Sequence, residues 1–451
     1  MMKYIFFMAA IILLPACTEK LDIKPDQSLI VPETVADFQA MMDNITFMNA
    51  YIPAFGEAGA DNYYITEARY NALPTNSDRS SYIWGNGIFP ANDIALDWAY
   101  GYVRINYCNL VLEGLKQLTA GTGTIEYNNV KGAALFFRAL SFYTLAGEFC
   151  KPYDSSTAAT DPGLPLRTTS DIQTIYQRAS VKATYEQALS DLAAAADLLP
   201  DMPAFKTRPS KVALYGLLAR IHLSLRNYKE ALEYADRSLS SYHTLLDYNT
   251  LDPLSNLPFD KFNDEVLFFA SLSTCSLLKM SGMIVDSVLY QQYQNDDLRK
   301  NLFFRNGMDG TKLFKGTYCG SSFEHFGGIA VDEIYIIRAE CYARSGNAAQ
   351  AMADLNTVLK TRWRSGTYVD MTATDPDDAL KKVLTERRKE LLFRGLRWVD
   401  LRRLNKDARF AKTLTRSING AVFQLPPNDA RYVYPIPEDE IRHSGIEQNA
   451  R

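Results

Sequence analysis

The sequence predicts a mainly α-helical chain in which paired helices stack into a body and a loop-rich second lobe packs on it. Three observations predict this. Two segments repeat a helix–turn–helix pattern with small residues at matching places. A third copy of the pattern is split by a loop. Three long stretches between the helices lack helical periodicity and are rich in Tyr, Phe, Asn, Asp, Gly and Pro.

The repeat decides the architecture. Leu214–His222 is followed by Asn227–Leu232, and Ile334–Tyr342 by Gly346–Met352. In both, an Ala on the first helix precedes an Ala on the second by twelve residues: Ala219 to Ala231, and Ala339 to Ala351. Small residues there let two helices approach closely across a polar turn, which is tetratricopeptide logic. Gly132–Phe149 supplies the first helix of the split copy, and a segment from Tyr185 through Ala195 the second, with a loop at 151–180 between them. Residues 100–118 supply a fourth first helix. About four helix pairs are expected. The segment 211–225 is apolar nearly all round, as a helix buried between neighbours must be. An ordinary α-helical bundle is the alternative.

The chain has 451 residues, enough for a large core, and 47% of them are hydrophobic. Its 48 Lys+Arg against 52 Asp+Glu give a net charge of −4, with no basic excess to bind a nucleic acid. The N-terminus reads Met1-Met2-Lys3, an apolar run Ile5–Leu14, then Pro15-Ala16-Cys17. One cation, ten apolar residues and a small residue before the cut describe a signal peptide at 1–16, too short to span a bilayer. Leu14-Pro15-Ala16-Cys17 resembles a bacterial lipobox, which makes Cys17 the expected lipidation site. Several acyl chains on one cysteine would anchor the chain stably. Residues 17–42 then read as a tether and first helix. The remaining cysteines, Cys108, Cys150, Cys275, Cys319 and Cys341, are widely spaced without a CxxC and are expected as buried thiols.

The expected layout is an irregular N-terminal lobe at 43–98, repeat helices at 99–239, an irregular insertion at 240–330, further repeat helices at 331–404 and a C-terminal segment at 405–451. The irregular parts are expected to join in one lobe that carries function.

The C-terminal third is the most specific part. Glu386–Arg403, read as one helix, resembles the signature helix of the SusD/RagB family, nutrient-binding surface lipoproteins of Bacteroidetes. Tyr434-Pro435-Ile436-Pro437 with Glu440-Ile441 and Gln448-Asn449 resembles that family's closing element. Trp84, Trp98, Tyr102, Ile105 and Asn109 match an N-terminal pattern of one subgroup. The resemblance implies a body of four tetratricopeptide units with a variable lobe. It implies an outer-membrane, cell-surface lipoprotein that binds a glycan, or in some members a peptide. It also implies a SusC-like TonB-dependent transporter as partner and no catalysis.

Within the signature segment, Glu390 with Arg394 and Asp400 with Arg403 have helical ion-pair spacing and read as a structural network. Trp98, Phe393 and Trp398 read as core. His222, His243, His325 and His443 show no zinc-ligand spacing, and no nucleophile elbow or phosphate loop occurs. No enzyme, metal or cofactor is expected, although carboxylate pairs are too common for spacing to dispose of a glycosidase dyad.

A pyranose needs an aromatic face for its C–H side and planar polar groups for its hydroxyls. Four clusters offer both: Asp61-Asn62-Tyr63-Tyr64; Arg79, Tyr82, Trp84 and Asn86; Tyr290, Tyr293 and residues 294–296; and Tyr318, Phe323, His325 and Phe326. The candidate ligand residues are Tyr63, Tyr64, Arg79, Tyr82, Trp84, Asn86, Tyr290, Tyr293, Tyr318 and Phe326. Phe323 reads as a mobile loop tip. A scaffold that grips another protein through its helical groove, without small ligand, is the reading of a different class.

Overall fold

A computed structural model describes residues 32–451. Cys17, the lipobox and the signal peptide lie outside the described residues. The chain opens with a helix at Val35–Met42, started by a capping box in which Thr34 and Asp37 satisfy each other's backbone N–H groups. Short helices at Ile45–Met48, Phe55–Gly59, Glu67–Asn71 and Asn76–Tyr82 follow. The stretch expected to be irregular thus contains short helices of about one to two turns and one short strand.

The body is made of long helices. Leu96–Gln117 packs on Ile125–Phe149, which packs on Val181–Ala195 across the interrupting loop. Lys211–Ser224 packs on Tyr228–Ser241, and Val331–Arg344 on both Ala348–Lys360 and Pro376–Glu390. Ala219, Ala231, Ala339 and Ala351 are fully buried at the contacts the repeat predicts. The turns between paired helices reverse through left-handed residues, Arg226 at φ 63° and Gly346 at φ 88°. The split copy is held by charge as well as packing. Arg138 donates to both carboxylate oxygens of Asp191, at 2.8 and 2.7 Å. The loop at 151–180 is ordered by a two-stranded sheet, Pro162–Pro165 with Arg178–Ser180.

The segment expected as one signature helix is broken. One helix ends at Glu390, and the next runs Arg397–Leu404. Between them Phe393 (φ 57°) and Gly395 (φ 74°) turn the chain through left-handed backbone. Asp400 and Arg403 do pair, at 2.8 Å. Glu390 and Arg394 do not, because the bend takes Arg394 off the face. Glu390 instead accepts from Arg299 at 2.9 Å and Arg362 at 2.7 Å, and Arg394 reaches Asp332 at 2.8 Å. Glu265 joins Arg362 at 2.7 Å, and Asp297 and Glu386 each join Arg299 at 2.7 Å. This buried network ties the insertion to the last helices. Phe393, Trp398 and Trp98 lie in the core, and the five cysteines from Cys108 on are buried and free.

The irregular stretches join. Tyr63–Tyr64 pairs antiparallel with Ile284–Val285, which pairs with Lys312–Phe314, which pairs with Phe304–Asn306. One small sheet therefore contains strands from both the N-terminal lobe and the insertion. The third stretch adds a hairpin, Leu414–Ile418 with Ala421–Leu425. Its turn is Asn419-Gly420 with φ 51° and 75°, the pair of left-handed residues a tight hairpin turn requires.

Candidate ligand-binding cleft

The first and third stretches meet around one side chain, and the insertion adds Asp286 beside it. Arg416, on the hairpin, is 7% exposed. Its guanidinium donates to the carbonyls of Tyr82, Ala58 and Ala60. It also lies over the rings of Tyr82 (4.0 Å), Trp84 (4.8 Å) and Tyr63 (5.4 Å). A buried cation is tolerated when carbonyls and ring faces replace its water.

Above this floor opens a cleft of about 460 Å³, walled by Tyr64, Asp61, Asp286, Lys412 and the hydroxyl-bearing Thr413, Thr415 and Ser417. Tyr64 is 41% exposed and is the ring the lobe presents there. Period-two alternation explains why: Tyr63 points into the core and its strand neighbour away from it. Asp61 binds Arg397 at 2.7 Å, Lys412 at 2.8 Å and Arg388 at 3.4 Å. Burial pushes the Asp61 carboxyl up, but the three cations outweigh it and hold it well below the usual carboxylate range. Asp61 therefore stays ionised and has no proton to give. Asp286 is part-exposed and accepts from the backbone N–H of Leu289, which fixes its orientation.

A second opening of about 460 Å³ lies beside helix Glu67–Asn71, lined by Arg69, Leu73, Ser276, Lys279, Met308 and Asp309 among others. Arg69 crosses it to donate to the Ser276 carbonyl at 2.6 Å. It can do so because position 282 is Gly; a side chain there would occupy the place of the Arg69 guanidinium. The same helix is fastened to the hairpin turn, since the Asn419 N–H donates to Glu67 at 2.7 Å and its side chain to Asn71 at 2.9 Å.

Six of the ten expected ligand residues are buried, three of them in the floor of the cleft. Tyr63, Tyr82, Trp84, Tyr293, Tyr318 and Phe326 are at most 4% exposed, so none offers a free ring face. Their polar tips are spent internally: Tyr63 OH on the Ala58 carbonyl, Trp84 Nε1 on the Gly59 carbonyl, Tyr293 OH on the Lys389 carbonyl and Tyr318 OH on Glu265. Tyr82 OH accepts the Ile65 N–H. Phe326 packs against Phe269 and Tyr318. Sequence composition alone does not separate a wet Tyr from a buried one.

Of the others, Tyr64 lines the cleft and Asn86 is exposed on a loop. Arg79 is half-buried and donates to Asn76 at 2.7 Å. Tyr290 is half-buried beside Phe304, with Lys300 and Lys312 over its ring. The structure brings Tyr63, Tyr64, Tyr82 and Trp84 together and leaves the remaining clusters apart. It adds Asp286, Lys412, Thr413, Thr415, Ser417 and Arg69, which the sequence reading missed. The alternation through 413–418 ahead of Asn-Gly is a hairpin signal that could have placed three of them.

Residues 19–223 match a SusD-like family described as starch-binding and associating with the outer membrane. Residues 332–450 match the SusD family. No curated protein sequence matches the chain. Among solved structures, a SusD superfamily protein from Bacteroides thetaiotaomicron is 20% identical, with a TM-score of 0.75, covering 93% of this chain and 100% of the other. A putative sugar binding protein from Bacteroides vulgatus is 22% identical, with a TM-score of 0.74 and coverage of 93% and 98%. A laminarin-binding SusD-like protein is 18% identical, with a TM-score of 0.65 and coverage of 92% and 98%. The paired helices, the lobe assembled from separated stretches and the two sequence matches agree: the chain belongs to the SusD/RagB family.

Proposed function

We propose that this protein is a non-catalytic glycan receptor held at the outer surface of the outer membrane by lipid on Cys17. It would pass its ligand to a SusC-like TonB-dependent transporter. The observation that carries the glycan reading is the cleft. One exposed ring, Tyr64, stands beside a row of hydroxyls and a carboxylate–ammonium pair, the mixture a pyranose needs. The laminarin-binding neighbour makes β-glucan the first probe. The match to a family described as starch-binding supports binding without hydrolysis.

The test is affinity electrophoresis and calorimetry of a chain beginning at Thr18 with laminarin, starch, xylan and galactan. One polysaccharide should retard the protein, and Tyr64→Ala or Lys412→Ala should weaken it about tenfold, the worth of ~1.4 kcal/mol. Release of reducing ends, or failure to bind any glycan, would overturn the reading. The anchor is checked by palmitate incorporation, which Cys17→Ala should abolish.

A further inference from the structure

A row of four rings lies outside the cleft and shares no residue with it. The ring of Tyr51 stacks on Tyr100 with centroids 3.8 Å apart and planes 13° from parallel. Phe47 lies 6.3 Å from Tyr100 and 4.9 Å from Tyr107. All four are half-buried, neither core nor free. Tyr100 and Tyr107 are seven residues apart on Leu96–Gln117 and therefore share a face.

Two features show that the row is held rigidly. Arg104, fully buried on the same helix, donates to the carbonyls of Phe47 and Met48 at 3.0 and 2.9 Å and to that of Ala50. It pins the segment bearing Phe47 and Tyr51 to the helix. Next, Tyr51 sits at φ 58°, a left-handed conformation that costs a tyrosine ~1–2 kcal/mol. Ile52, the next residue, is buried and hydrogen-bonded on both sides to 271–273, with Ile52 N on Ser271 O at 3.0 Å and Ser273 N on Ile52 O at 2.7 Å. The backbone bends at Tyr51 so that Ile52 enters the core while the Tyr51 ring remains on Tyr100. Strain of this kind persists where the surroundings over-determine it, and it concentrates at binding sites.

The chemistry of the row is not that of a plain apolar contact. Three of its four rings carry hydroxyls. Glu324 lies near Tyr51, and burial, Tyr100 and the Glu324 charge together push the Tyr51 phenol up. Its neighbour Phe323 is 83% exposed at a loop tip. Immobile ring faces edged by hydroxyls and a carboxylate suit the C–H faces and hydroxyls of sugar rings, and little side-chain entropy is lost on binding.

We propose that Phe47, Tyr51, Tyr100 and Tyr107 form a second glycan contact. It would seat pyranose units of a chain longer than the cleft can hold. The proposal rests on the glycan reading of the cleft. Its test compares laminarin with laminaritriose, and any other polysaccharide of the panel that binds with its own trisaccharide. Tyr51→Gly is the main variant, because it removes the ring while suiting the positive φ; Tyr100→Ala is the second, and the thermal midpoint of each reports folding. Both should weaken the polysaccharide about three- to tenfold, as expected for losing one ring contact, and leave the trisaccharide unchanged. Tyr64→Ala should weaken both ligands. Ring variants that bind the polysaccharide like the parent, while Tyr64→Ala weakens it, overturn this inference alone. No binding by the parent chain overturns the cleft reading and this inference with it.

Discussion

Replacing Arg299 with Met tests whether the buried charge network holds the insertion to the last helices. Arg299 is fully buried and donates to Asp297 at 2.8 and 2.7 Å, Glu386 at 2.7 Å and Glu390 at 2.9 Å. Methionine keeps much of the length and none of the charge. Lys389 still reaches Glu386 at 2.7 Å and Asp297 at 3.3 Å, and Arg362 still reaches Glu390 at 2.7 Å. Three buried carboxylates are left sharing those two cations. Removing one partner of a buried pair costs about 3–5 kcal/mol, and the remaining cations argue for the lower end. The pH dependence gives a second signature. In the parent, Glu390 is held down to about 2: burial pushes it up, and Arg362 and Arg299 more than reverse that. Its contribution is present above its unfolded value and lost as pH falls toward 2. Without Arg299 the carboxylates are raised, so the variant should be least stable relative to the parent near pH 8 and recover toward pH 5. The assay is urea unfolding followed by tryptophan fluorescence at both pH values. A loss below about 1 kcal/mol, or a deficit that grows toward pH 5, would refute the reasoning.

Two further outcomes follow, one from this network and one from the second opening. The network around Arg299, Arg362, Arg394 and Lys389 faces five acids, Asp297, Glu386, Glu390, Glu265 and Asp332, so one acid is in excess. Burial first, and then the charges of Glu265 and Glu390, push Asp332 up to about 7 against the pull of Arg394 and Arg362. A raised carboxyl contributes stability at low pH that is lost as pH rises through its folded value. The parent's unfolding midpoint should therefore fall between pH 5 and 8, and Asp332→Asn should flatten that slope in a thermal titration. At the second opening, Gly282→Ala should push the Arg69 guanidinium off the Ser276 carbonyl at a cost of roughly 1–3 kcal/mol. Hydrogen exchange across 66–74 and 276–284 should rise, whereas the body helices should not change.

How much was legible beforehand differs between body and lobe. Ala219, Ala231, Ala339 and Ala351 announced the paired helices because close helix approach needs small residues at fixed spacing, a local property. Phe393 defeated the same reasoning. Its neighbours carry helical ion-pair spacing, yet Glu390 finds better partners in Arg299 and Arg362, which are remote in sequence. Tyr63 and Tyr64 show the limit at the site. Both are good strand residues, and only the pairing with Val285 and Ile284 decides which is core and which meets solvent.

The chain by itself determined the helical body and the family resemblance, because periodicity and motif order are written within short windows. The tertiary structure alone decided which aromatic rings are wet, where three separated stretches meet and which acid answers which base. Those outcomes depend on burial and on partners up to several hundred residues away, as when Arg416 closes on Tyr63, Tyr82 and Trp84. No local pattern encodes such a meeting, because its free energy comes from groups that only the folded chain brings together.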